Sequence, residues 1–267
     1  MMKMKNAVLL VLIFIASNSC NSSSETQPKQ AIESNSKEDL RKLIKQYPDS
    51  LLLVQNLIEK YREDASYDSA IALTDNEIKK DSGNAYLWNM KATLHFENND
   101  TSEAISSLEH AVNIYPLPEY LVALGTVYAE VKNPKALAIA NGLLKANRVK
   151  WGKDALFLKG LYYNYANDKN KAINYFDSSL KMDFTYMFAY REKAIALYDL
   201  GKYEASLLTL KRAVTIQNNF DEGYYWMGKC YEKLHKPDDA IQSYQNALLY
   251  DKNFIEAREA LEKLKSQ

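Results

Sequence analysis

The chain of 267 residues is short of the residue types that most active-site chemistry requires. It has two cysteines, and Cys20 closes an N-terminal apolar run, so Cys230 is the only thiol left for the folded body and an internal disulfide is excluded. Its three histidines, His95, His110 and His235, have no second His or Cys at ligand spacing on the same helix, so no metal site is expected. The eight glycines are scattered singly, which rules out a phosphate-cradling loop, and no Gly-x-Ser-x-Gly elbow occurs. Lys+Arg and Asp+Glu both number 34, a balance that gives no electrostatic reason to bind nucleic acid. No catalytic residue and no cofactor are expected.

What the chain does contain is a beat of small residues. Ala70, Ala104, Ala136, Ala172, Ser206 and Ala240 are separated by 34, 32, 36, 34 and 34 residues. A second comb upstream, Ile58, Ala92, Gly125, Gly160, Ala194 and Gly228, is spaced 34, 33, 35, 34 and 34. Two combs in phase mean one helix pair repeated six times, because helices that cross closely leave no room for large side chains. The expected contacts are Gly228 with Ala240, Ala194 with Ser206 and Gly160 with Ala172. Larger residues keep helical spacing around them, as with Tyr224, Met227 and Tyr231, then Tyr244 and Ala247.

Trp88, Ala92, Ala104, Leu108, Ala111 and Pro116 in the second unit, and Gly160, Tyr163, Ala172 and Phe176 in the fourth, match the pattern Trp-x2-Leu-Gly-x2-Tyr, Ala-x3-Phe-x2-Ala, Pro. On these residues the sequence resembles a tetratricopeptide repeat protein. The resemblance implies an all-α solenoid with repeats near 51–84, 85–117, 118–152, 153–186, 187–220 and 221–254. Residues 36–47 read as a lone second helix ending at Pro48, and 254–265 as a capping helix with Phe254, Ala257, Leu261 and Leu264 in one stripe, so that the solenoid covers 36–267. Irregular spacing, Pro116, Pro118 and Gly142 place a kink or hinge in repeat three.

The N-terminus reads as a separate element. Lys3 and Lys5 precede the apolar run Ala7 to Ala16, too short to span a bilayer but suited to a secretory signal over 1–19. Cys20 at its end resembles the lipidated residue of a bacterial lipoprotein, although Ser17 stands where leucine is commonest; an ordinary signal cleaved near Ser19 is the alternative. Polar residues 20–35 read as a flexible tether of roughly 20–24 Å. The implied setting is a bacterial cell envelope with the chain anchored through lipid, at an outer membrane facing the periplasm.

Function is then expected on the face lined by the first helix of each repeat, which the resemblance assigns to repeat positions 2, 5, 6, 9, 12 and 13. No repeat has the Lys and Asn pair at positions 5 and 9 with which the family holds chaperone C-termini. The residues at those positions include ten acids and four bases, so the face is expected to be acidic. Tyr86, Phe157, Tyr165, Phe188, Tyr198, Tyr225 and Trp226 would supply aromatic contacts, with Glu192, Asp199 and Glu222 supplying charge. The expected role is a non-enzymatic scaffold or adaptor binding a basic, apolar partner segment. A small ligand or glycan fragment is the alternative, since aromatic faces and carboxylates also suit sugars.

Overall fold

A computed structural model describes residues 36–266. The expected signal segment, Cys20 and the tether lie outside the described residues. The described chain is all-α, as the combs imply, with thirteen helices and no strand among the described residues. In order they are α1 (Lys37–Gln46), α2 (Leu51–Glu63), α3 (Tyr67–Lys80), α4 (Ala85–Glu97), α5 (Thr101–Ile114), α6 (Pro118–Glu130), α7 (Lys135–Tyr165), α8 (Lys169–Met182), α9 (Met187–Asp199), α10 (Tyr203–Ile216), α11 (Asp221–Lys233), α12 (Pro237–Tyr250) and α13 (Ile255–Lys265). They form two compact units, the division falling between Val127 and Tyr128 within α6.

Each first helix stops by the same device. Ala65, Asn99, Lys132, Asn167, Gly201 and His235 all have positive φ, between 52° and 72°. The next N–H reaches back five residues, as from Ser66 to Tyr61 (2.8 Å), Asp100 to His95 (2.8 Å) and Lys202 to Leu197 (2.9 Å). This closure satisfies carbonyls that the helix end would otherwise leave open, and it turns the chain into the second helix. Only one of the six is glycine; Asn99 and Asn167 are of the type that tolerates this conformation next best, and Ala65, Lys132 and His235 bear its cost of about 1 kcal/mol or more.

In the first unit, Leu40 of α1 is fully buried against Leu53 and Leu57 of α2. Val54, Ile58, Ala70, Met90 and Leu94 continue that core into α4. In the second unit, Ala194, Leu207, Leu210, Met227 and Cys230 join α9, α10 and α11, and Ala257 and Leu261 of α13 close on Tyr225, Ala240, Tyr244 and Ala247.

The small-residue contacts need correction. A Cβ on Gly160 would sit 2.4 Å from the Phe176 ring, and one on Gly228 would sit 2.5 Å from Tyr244. The glycines therefore make room for an aromatic sixteen residues later, rather than for Ala172 or Ala240. Elsewhere the same spacing carries Ala92 with Leu108, Ala194 with Leu210 and Ile58 with Thr74. Volume at the first position falls as volume at the second rises, as close packing demands. In repeat five the expected pair is joined directly, Ser206 Oγ donating to the Ala194 carbonyl at 2.8 Å.

The irregularity of repeat three also takes a definite form. The second helix of that repeat runs on into the first of repeat four as α7, broken at Asn147, whose φ of −163° and ψ of 96° are extended. Asn147 Oδ1 accepts from Lys150 N at 3.0 Å and so caps the second half. Gly142 lies in regular helix with open space beside it and does not cause the break.

Candidate functional site

In the second unit the first helices of repeats four to six are the latter half of α7, then α9 and α11. Their exposed or half-buried residues carry most of the expected site. Aromatic rings run through it in contact: Phe157 lies 5.2 Å edge-on to Tyr186, Tyr186 5.7 Å from Phe188, Tyr198 5.5 Å from Trp226, and Trp226 5.7 Å from Tyr225. Such tilted and edge-on pairs are the favoured geometries of aromatic quadrupoles. Phe188, Tyr198 and Trp226 remain half-buried, each with ring surface on offer.

Three expected site residues belong to the core instead. Phe157 is 4% exposed, held by Phe176 and Tyr186; Tyr225 is 5% exposed against Tyr244 and Phe254. Burial raises the Tyr225 phenol to about 12. Glu192 is 1% exposed and faces Arg191, which is equally enclosed. Arg191 Nε donates to Glu192 Oε1 at 3.0 Å, and Nη1 donates to both Glu222 oxygens at 2.9 and 2.8 Å. Burial pushes the Glu192 carboxyl above its ordinary range, with Arg191 opposing. Burial also opposes the Arg191 charge, but Glu192 and Glu222 outweigh it and raise its pKa. The Tyr165 hydroxyl, Arg191 Nη2 and Glu192 Oε2 are closed to solvent without a hydrogen-bond partner, and the pair bears electrostatically on Tyr165.

The face is accordingly less acidic than a count of its residues suggests. Asp199 is paired with Lys169 of α8 at 2.7 Å, and Lys169 also donates to Asn164 Oδ1 at 2.8 Å. Asp154 is partly buried and bonded to Tyr186, and desolvation raises its pKa. Glu232 accepts from the Tyr244 hydroxyl. Asp199 and Glu222, each in an ion pair on one side, keep side chains 39% and 34% exposed on the other. Lys169 and Tyr186 were not legible as members of this face, because neither falls at a groove position of the repeat. The adjacent opposite charges of Arg191 and Glu192, with Glu222 about one repeat later, were a readable signal for an internal ion pair.

Tyr86 lies in the first unit, half-buried against the Val54, Ile58 and Leu94 core, and burial raises its phenol to about 12. Arg62 there binds Glu97 through Nε and Nη2 at 2.9 and 2.5 Å and Glu59 through Nη1 at 2.5 Å. His95 Nδ1 is 3.5 Å from Asp100, and among the described residues no group of acids, His or Cys could hold a metal ion. Cys230 is buried and its thiol is raised to about 11 by burial, which makes it a packing residue and a poor nucleophile. No helix among the described residues is long and apolar enough to cross a membrane.

Comparison with known proteins matches this architecture. Tetratricopeptide repeat models match residues 85–116, 153–186 and 221–254, and a TPR repeat model matches 195–234. The chain therefore carries tetratricopeptide repeats. A tetratricopeptide repeat protein from Parabacteroides merdae superposes with a TM-score of 0.69 at 17% identity, over 86% of this chain and 91% of that one. A thermophilic TPR protein of Thermus thermophilus superposes with a TM-score of 0.58 at 15% identity, over 69% of this chain and all of the other. The mouse DnaJ homolog subfamily C member 7 is 26% identical over 117 residues, 44% of this chain but only 24% of that protein's length. Repeats of this kind indicate a protein–protein interaction scaffold.

Proposed function

We propose that the chain is a scaffold whose partner lies along α9 and α11, against Phe188, Tyr198 and Trp226, with Asp199 and Glu222 at the rim. The observation that carries this reading is the coexistence of the half-buried, contacting Tyr198 and Trp226 rings and two partly exposed, ion-paired carboxylates on the first helices of adjacent repeats. Accessible Trp and Tyr clusters concentrate binding energy, and the exposed sides of the two acids suit a partner segment that is basic as well as apolar. The setting proposed is the bacterial cell envelope, with Cys20 as a lipid attachment site and the membrane as second partner; its support is the sequence of residues 1–20 alone.

The test is affinity capture of partners from solubilised membranes by the wild-type chain and by Tyr198→Ala, Trp226→Ala and Asp199→Lys variants. The expected result is loss of the same captured proteins from all three. Identical capture by wild type and variants contradicts the reading. Glu192 and Tyr225 are unsuitable targets, because removing one member of a buried ion pair costs about 3–5 kcal/mol and a large aromatic core truncation about as much.

A further inference from the structure

A second surface of the second unit has the opposite charge and lies at the turns between repeats. Beyond the break at Asn147, α7 begins its second half with Arg148, Val149, Lys150 and Trp151. Val149 is 91% exposed. One helical turn on from it lie Gly152 and Lys153, which hold the end of α8: a Cβ on Gly152 would meet Met182 Cε at 2.9 Å, and Lys153 Nζ bonds Asp183 at 2.7 Å. Those contacts place the end of α8, with Met182 40% exposed and Phe184 61% exposed, against the helical turn that follows Val149.

The exposed charged residues of these segments that have no ion-pair partner are of one sign. Lys145, Arg148, Lys150 and Lys181 are exposed and form no ion pair among the described residues. The nearby acids are already engaged: Asp183 by Lys153, Asp177 by Lys193 at 2.6 Å, and Asp154 by Tyr186. Lys150 Nζ lies 4.8 Å from the centre of the Trp151 ring. Single projecting apolar side chains, a tryptophan and a fringe of cations without ion-pair partners form the pattern that inserts shallowly between anionic headgroups.

We infer that the surface of Lys145, Arg148, Val149, Lys150, Lys181 and Phe184 docks onto an anionic lipid membrane. It sets which side of the second unit faces the bilayer, and it does so whether or not Cys20 carries lipid.

The test uses the full chain with Cys20→Ser, so that no lipid anchor can form, and vesicles of phosphatidylcholine with and without phosphatidylglycerol. Partition onto the phosphatidylglycerol vesicles is expected to fall at least about tenfold in a Lys145→Gln/Arg148→Gln/Lys150→Gln/Lys181→Gln variant. It is expected to fall severalfold in Val149→Ser/Phe184→Ser. Trp151 emission, isolated by subtracting a Trp151→Phe chain, should shift to the blue only with phosphatidylglycerol present. Residues 1–35 are common to all variants and cancel in the comparison. Equal partition of the wild-type and glutamine chains would overturn the inference, as would capture by polyglutamate with none by the anionic vesicles.

Discussion

Alanine at Gly160 would put a methyl group 2.4 Å from the Phe176 ring, inside the core between α7 and α8. Overpacking of this kind costs about 1–3 kcal/mol, so Gly160→Ala should lower the urea midpoint, and Phe176→Leu in the same chain should restore part of the loss. Additive destabilisation in the double variant would show that the sixteen-residue volume pairing is not what positions these helices. Asp183 offers a second residue-scale test. Its hydrogen bonds with Lys153 and Thr185 hold the carboxyl at about 2, below its ordinary 3.8. The folded chain thus binds that proton less tightly than the unfolded one. Asp183 contributes stability above pH of about 4 that is lost as the pH falls through about 2. The stability gap between wild type and Asp183→Asn should therefore be widest near neutrality and close in acid, as read from urea melts at several pH values; a gap independent of pH contradicts the assignment.

Among the elements, the first-helix terminators are the least legible in sequence. Their left-handed residues are Ala65, Asn99, Lys132, Asn167, Gly201 and His235, and glycine marks one of six. His235→Gly should raise stability by about 1 kcal/mol, measured by thermal or urea unfolding, since the glycine relieves backbone strain at an exposed turn; a loss of stability would show that His235 makes contacts that outweigh the strain. The break in α7 has its own test. Amide exchange at Arg148 and Val149, in the first turn after Asn147, should be much faster than at residues 155–160, and Asn147→Ala should cost about 1 kcal/mol through the lost cap. Uniform protection across the break contradicts it. The combs revealed the number and pairing of helices because close crossing restricts side-chain volume wherever it occurs. They did not reveal that Phe176 and Tyr244, rather than Ala172 and Ala240, fill the space beside the glycines. Periodicity identifies which positions face inward, but contact depends on the reach of each side chain.

For the whole molecule, repeat phase separated the face of α9 and α11 from the core, yet it could not separate exposed from enclosed positions on that face. Arg191 and Glu192 occupy groove positions and neutralise each other out of solvent, and Tyr225 turns inward to meet α13. What remains is a narrower surface of Phe188, Tyr198, Trp226, Asp199 and Glu222. A scaffold reading requires that this surface carry the binding energy for a protein partner. The most direct measurement is the affinity of one captured partner for the wild-type chain, for Trp226→Ala, and for Trp88→Ala, whose ring stacks on His110 at 4.3 Å in the first unit. The account predicts at least about a tenfold loss, or 1.4 kcal/mol, for Trp226→Ala and none for Trp88→Ala. Equal affinity for Trp226→Ala and wild type would contradict it.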